Sequence, residues 1–257
     1  MNPFAERVSS EPIVQKVLVS GSVIRVFDST RNTFVVQKRV LKNSPFANPL
    51  ELSLVGHTIP NVVPILSVSS DDTYHYLTMP KMTPLNEILC PSGGYSAKDL
   101  IRGLYTLQSL GLVHNDIKSH HVFIDDDHYY LGDFEMMKSF PSRDFLFQCP
   151  LTGVTSPLYR CPQSVAAQIS NGHFNAFALD IWSLGVLLYE AAVGRFPVFP
   201  DDRSVESLFD LLLDITADKI NMSEICDDFI REIVEKLLTI DPSDRMSNFD
   251  ELCLRLL

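Results

Sequence analysis

The chain has 257 residues, 46% of them hydrophobic, with a formal net charge of −11 and a pI near 5.0. That length and apolar content supply a core for one large domain or two close lobes. The acidic balance excludes electrostatic steering to nucleic acid or to an anionic membrane, both of which need a basic face, and suits a basic protein substrate or simply a solvated acidic surface.

The N-terminus, MNPFAERVSS, lacks an apolar run behind a basic start and does not read as a signal peptide. The first third of the chain predicts strands. Two β-branched runs flank Ser20–Ser22 as in a hairpin, Thr33–Val40 forms a third strand in which Lys38 alternates with apolar neighbours, and Thr73–Pro80 forms another. Between them NPLELSLVGH predicts about two helical turns with Pro49 at a first helical position. The remainder predicts mainly helices. Ser96-Ala97-Lys98-Asp99 has the form of a capping box. Leu100, Ile101, Leu104, Leu107 and Leu110 then follow helical spacing, and Gly111 closes the helix. LDIWSLGVLLYEAAVG is an apolar helix ending at Gly194; Ser183, Gly185 and Glu190 interrupt it, so it does not read as a membrane span. FIREIVEKLL puts Ile230, Ile233, Val234, Leu237 and Leu238 on one face, and Asp241-Pro242 stops it. The five cysteines, Cys90, Cys149, Cys161, Cys226 and Cys253, are scattered without a CxxC pair and read as reduced thiols of an intracellular protein, cytoplasmic or nuclear. Strands followed by helices give an α+β fold with two lobes.

The chemistry concentrates in HNDIKSHHVFIDDDHYYLGDFE, from His114 to Glu135. A short strand, an Asp-rich turn and a second strand form a hairpin that brings Asp116 and Asp133 to one rim, with Lys118 beside them. Two carboxylates there can hold a divalent cation and accept a proton, whereas Asp125–Asp127 read as a solvated turn. The order HxDxKxxN, hairpin, DFG is the catalytic core of eukaryotic protein kinases, and the chain resembles that family over essentially its whole length. SPLYRCPQ, DIWSLGVLLYEAAVGRFPVF and LLTIDPSDRMS resemble later motifs of the same family, in the same order.

The resemblance implies a bilobal fold: an N-lobe over about residues 1–80, a hinge at about 80–83 and a C-lobe over about 84–257. It implies a serine/threonine kinase in which Asp116 accepts the substrate proton and Lys118 stabilises the transferring phosphoryl group. Lys38, paired with Glu51, would grip the α- and β-phosphates of ATP, and Asp133 would hold Mg²⁺. Val26, Val36 and Phe123 would sandwich the adenine, Met79 would be the gatekeeper, and the Met82 N–H would contact the base. His114 and Phe134 would stack between the lobes. Ser156, in the protein-substrate platform, is expected to bond to Asp116 or Lys118.

The departures surround the phosphates. Of the three glycines in the glycine-rich loop only the middle one, Gly21, survives, and side chains at Val19 and Ile24 hold the backbone off phosphates. His121 stands where an asparagine binds a second Mg²⁺. Imidazole is a poor Mg²⁺ ligand, which leaves three readings of His121: a Mn²⁺ ligand, a phosphate hydrogen-bond donor or a polar filler; a transition-metal site shared with His120 and His128 is a minor alternative. Glu135 replaces the DFG glycine, and Asn115 an arginine that reads activation-loop phosphate. Gln163 replaces a glutamate opposite Arg245, exchanging a charged bond for a neutral one. Val36 and Phe123 are bulkier than the usual alanine and leucine and tighten the adenine slot. The span from Lys38 to Glu51 is short, which demands a short helix and leaves the pairing open. Two readings result: a protein kinase of low or atypical activity, or an inactive pseudokinase acting as scaffold or allosteric partner. Either way a separate regulatory protein is expected, docking on the Glu51 helix or on Asp201–Asp228.

Overall fold

The computed structural model describes residues 13–19 (backbone only), 23–44, 47–87, 97–148 and 156–257. The chain divides into two units, Met1–His57 with Pro64–Lys81, and Thr58–Val63 with Met82–Leu257. The first carries strands β1 (Ile13–Val19), β2 (Val23–Asp28) and β3 (Thr33–Leu41), helix α1 (Pro49–Ser53), and strands β4 (Ser67–Ser70) and β5 (Tyr74–Pro80). The strands form one antiparallel sheet in the order β1-β2-β3-β5-β4. The expected β1–β2 hairpin is present, and its turn, residues 20–22, lies outside the described residues. Helix α1 is short, as the tight span requires. Asn48 caps it by accepting the Leu50 N–H at 3.0 Å, and Pro49 occupies the first turn, where its missing N–H costs nothing.

The second unit holds strand β6 (Thr83–Pro84), helix α2 (Ala97–Ser109), and strands β7 (Leu112–Val113), β8 (Val122–Asp125), β9 (His128–Leu131), β10 (Lys138–Ser139) and β11 (Leu146–Gln148). Helix α3 (Pro162–Ser170), strand β12 (His173–Asn175) and helices α4 (Ala176–Val193), α5 (Val205–Leu213), α6 (Asp228–Leu237) and α7 (Pro242–Leu256) complete it. Helix α4 is the apolar centre, packed against α6 and α7 and buried from Ala176 to Tyr189.

Sequence and structure part at a few places. Leu110 is 57% exposed, because α2 ends at Ser109 and the face it was expected to continue has already turned. Ser96 of the expected capping box lies outside the described residues. Helix α4 starts three residues before the expected segment, where Asn175 accepts the Ala178 N–H at 3.1 Å. The 58–63 segment belongs with the second unit because its backbone joins β9: Val63 N–H donates to Leu131 O at 2.8 Å and Leu131 N–H to Asn61 O at 2.9 Å.

Candidate active site

In the first unit the alternation of β3 puts Val36 and Lys38 on one face. Lys38 and Glu51 are both buried, and Nζ donates to Oε1 at 2.9 Å, so the short α1 does deliver the pairing. A buried pair of this kind is strongly destabilised when either partner is removed, because an uncompensated charge is left behind. The register places Val36 opposite Met79 and Lys38 opposite Leu77 on β5, so Met79 shares the Lys38 face.

The register corrects one expectation. Val26 lies opposite Val35, while Lys38 and Val36 lie opposite Val23 and Arg25. Directly opposed residues share a face and successive residues alternate. Val26 therefore points to the other side of the sheet, buried with Val35, and Val23 is the β2 valine on the Lys38 face. Counting along a degenerate loop does not show this, because the face of a β2 residue relative to Lys38 is set by its register against β3. Gly21 lies outside the described residues.

In the second unit the segment after β7 is fixed from beneath by Asp180 of α4. His114 N–H donates to Oδ2 at 2.6 Å and Asn115 N–H to Oδ1 at 2.8 Å. Asp180 is fully buried, and burial pushes its carboxyl up to about 7 against the pull of those two N–H groups. No role had been read for Asp180, although it opens the DIWSLG motif. Asn115 takes a left-handed conformation, φ 65°, which asparagine tolerates, and its side chain donates to Met136 O at 3.3 Å.

Asp116, Lys118 and Ser156 close into a three-membered network. Lys118 Nζ donates to Asp116 Oδ2 at 2.7 Å and to Ser156 Oγ at 3.1 Å, and Ser156 donates to Asp116 Oδ1 from its N–H at 3.1 Å and its Oγ at 3.2 Å. Ser156 thus meets both of the partners expected of it, across 40 residues of sequence. A second tie escaped the sequence reading: Tyr159 Oη donates to Glu190 Oε2 at 2.5 Å and receives the Ser119 N–H at 3.3 Å. Burial and the neighbouring carboxylate push the Tyr159 phenol upward.

The β8–β9 hairpin returns the chain to this rim at Asp133, φ 62°. A Cβ on Gly132 would stand 2.8 Å from Val63 Cγ2 and 2.9 Å from Phe123, so only glycine fits before Asp133. Phe123 itself sits on β8, opposite Tyr130 and Pro84, and Met82 immediately precedes β6. His114 is buried, its Nε2 donates to Gly132 O at 3.0 Å, and its ring lies 5.2 Å from that of Phe134 at an interplanar angle of 56°, a tilted contact where a stack was expected. Burial pushes the His114 imidazole down to about 4.

His121 joins the two aspartates. Its Nδ1 lies 2.9 Å from Asp116 O and its Nε2 3.1 Å from Asp133 Oδ2. Asp133 offers hard carboxylate oxygens to a divalent cation, and the residues present fit one. The three-histidine companionship is not formed. His128 Nδ1 lies 3.2 Å from Asp99 Oδ2, and among the described residues no group of three His, Cys, Asp or Glu side chains converges on a metal position.

An antiparallel sheet bearing a buried Lys–Glu pair, ahead of a mostly helical unit whose loop bears Asp116 and Lys118, defines the class: a protein kinase fold of the α+β type. The chain belongs to the protein kinase domain family, whose sequence model matches residues 19–255. It is similar to the protein kinase C delta type of Mus musculus, 32% identical over 153 residues, covering 59% of this chain and 21% of the relative. It is similar to the cAMP-dependent protein kinase catalytic subunit 3 of Drosophila melanogaster, 26% identical over 247 residues, covering 95% and 38%. A third relative is the serine/threonine-protein kinase GIN4 of Saccharomyces cerevisiae, 29% identical over 217 residues, covering 78% and 18%. The matched regions span less than half the length of these relatives. The family generally uses ATP and Mg²⁺.

Proposed function

We propose that the chain is a serine/threonine protein kinase of low or atypical activity, transferring the ATP γ-phosphoryl group to a protein hydroxyl. The observation that carries this reading is the Asp116–Lys118–Ser156 network. It holds a carboxylate and an ammonium 2.7 Å apart by contacts from two distant segments. An arrangement kept only for shape needs no such convergence. ATP with its divalent cation supplies the phosphoryl group and neutralises charge on its oxygens. The chain's own residues position and balance charge, which is most of what phosphoryl transfer asks of a protein. Asp116 orients the substrate hydroxyl and accepts its proton, Lys118 offsets negative charge on the moving group, and Ser156 fixes both. Lys38, held by Glu51, meets the phosphates, and Asp133 holds the cation. Val36, Met79, Met82 and Phe123 are the proposed base contacts. His121, Glu135 and the sparse glycines of the loop account for a low rate. An intracellular setting and a regulatory protein docking on α1 or on the acidic residues 201–228 belong to the same proposal. Size exclusion of native extract, with the chain running as a lone monomer, would remove the partner.

Calorimetric titration with ATP in Mg²⁺, Mn²⁺ and chelator tests the reading, with Lys38→Met and Asp133→Asn alongside. Metal-dependent binding is expected and is lost in both variants. Transfer of labelled phosphate to serine and threonine peptides is expected to fall by at least ~10²-fold in Asp116→Asn, the lower end of what a general base contributes. Binding without transfer to any peptide would assign the scaffold role instead. No binding at millimolar ATP would end the catalytic reading.

A further inference from the structure

We propose that Arg25 is a further nucleotide contact: its guanidinium, laid on the Phe34 ring, meets the base and ribose of the ligand rather than the phosphates. This rests on the kinase reading of the Lys38 face of the five-stranded sheet, and adds to that face a cation and the part of the ligand it binds.

Register places the residue. Arg25 lies opposite Val36 and Phe27 opposite Phe34, so Arg25 and Phe27 share the face of Phe34, Val36 and Lys38. The guanidinium carbon of Arg25 stands 3.7 Å from the Phe34 ring centroid, a diagonal reach across the β2–β3 pair that a long side chain can make. The Phe27 ring meets Phe34 edge-on with centroids 5.3 Å apart and braces it. The Arg25 side chain is thereby turned along the strands away from Lys38. Phe34 is four residues from Lys38, about 13 Å along β3, and Val36, a proposed base contact, lies between them. A ligand whose phosphates reach Lys38 and whose base lies on Val36 brings its nucleoside half to Arg25.

Electrostatics agrees. Lys38 has its carboxylate, Glu51 Oε1 at 2.9 Å. Carboxylates are in excess in a chain of net charge −11, yet among the described residues none pairs with Arg25, and its Nε is shut off from water without an acceptor. A buried N–H left so costs free energy until an acceptor arrives. Guanidinium suits the position because it is planar and weakly hydrated, and it can rest one face on an aromatic ring while its edge and other face serve a ligand. A purine nucleoside offers both a second π-face and acceptor atoms on ring nitrogens and ribose oxygens.

The test is displacement of a fluorescent ATP analogue from the full chain in Mg²⁺ by ATP and by adenosine, in wild type, Arg25→Met and Arg25→Lys. Methionine keeps an unbranched stem without the charge. ATP and adenosine are expected to weaken by the same factor in Arg25→Met, about 2- to 30-fold, the range of a cation–π contact, and Arg25→Lys is expected to fall between. Weakening of ATP with adenosine unchanged would make Arg25 a phosphate contact and overturn the proposal. Tighter binding in Arg25→Met would also overturn it, by marking the guanidinium as an obstruction. So would unchanged binding with a lower Tm, which would leave only a brace of the β2–β3 hairpin. In each of these cases ATP binding by wild type leaves the kinase reading standing. Wild type that binds neither ATP nor adenosine would remove the kinase reading and the proposal with it. One arm needs no variant: modification of wild-type Arg25 by phenylglyoxal, mapped by mass spectrometry, is expected to slow in adenosine. An unchanged rate under saturating adenosine would overturn the proposal even if both variants failed to fold.

Discussion

At the scale of single residues, His114 illustrates how burial turns a familiar loop residue into a stability element. Its folded value near 4 lies below the ordinary 6.5, so the unfolded chain binds a proton in that window and the folded one does not. Stability from His114 is therefore complete above about pH 6.5 and is lost as pH falls toward 4. Between pH 6.5 and 5 the loss is about 2 kcal/mol, or roughly 4–8 °C in Tm. Asp180 works in the opposite sense. Its raised carboxyl near 7 makes the folded state bind the extra proton, so its contribution falls as pH rises from about 4 toward 7. The wild-type profile in this range is thus a difference of two slopes. His114→Phe keeps the ring and deletes one slope. Melting curves at pH 5 and 6.5 are expected to show wild type gaining roughly 4–8 °C more than the variant over that interval; equal gains would mean that the buried histidine does not resist protonation. The polar residues that face each other across this rim were legible in the sequence because spacing and chemistry jointly constrain them. The role of Asp180 was not, since the DIWSLG motif marks the residue but not the distant N–H groups of His114 and Asn115 that its carboxylate accepts.

At the scale of elements, helix ends were the most readable feature. Gly194 caps α4 in the left-handed region, φ 81°, and Gly111 follows α2 at φ 72°, each where the sequence placed a stop. Strand register was the least readable. Whether Val23 or Val26 shares the Lys38 face depends on the register of β2 against β3, and one residue of slip exchanges the two faces. The contact between α3 and α7 was anticipated at the level of one bond. Arg245, fully buried, donates Nη2 to Gln163 Oε1 at 3.1 Å and Nη1 to Ala178 O at 2.9 Å, and lies 4.9 Å from the Trp182 ring. Burial presses this guanidinium toward its neutral form. Gln163→Glu would set a carboxylate against it, while giving up the amide donation to Ile240 O at 2.7 Å. The Ile240 carbonyl retains the Arg245 N–H at 2.9 Å, so the charged bond is expected to dominate by about 1 kcal/mol and to raise Tm by roughly 2–4 °C. A lower Tm would show that the amide hydrogen is worth more than the charge.

At the scale of the whole molecule, the chain passes between its two units three times, at His57–Thr58, Val63–Pro64 and Lys81–Met82. The sequence suggested one crossing, because a resemblance locates a hinge by its flanking strands and says nothing of a six-residue excursion. That excursion is structurally committed: the Asn61 side chain donates to Tyr129 O at 3.0 Å, and Asn61 O receives the Leu131 N–H. A fragment of residues 82–257 would leave the Leu131 N–H and the Tyr129 carbonyl without these partners, at about 1–3 kcal/mol each where burial excludes water. That fragment is expected to lack a cooperative melting transition, and adding a peptide of residues 58–63 is expected to restore one only at high concentration; a sharp transition in the fragment alone would show the excursion to be dispensable. Since each unit depends on sequence lying on the far side of a crossing, no single cut separates them. Recombination at the obvious boundary would hand on an incomplete second unit, so the two units are expected to behave as one indivisible cassette rather than as two exchangeable modules.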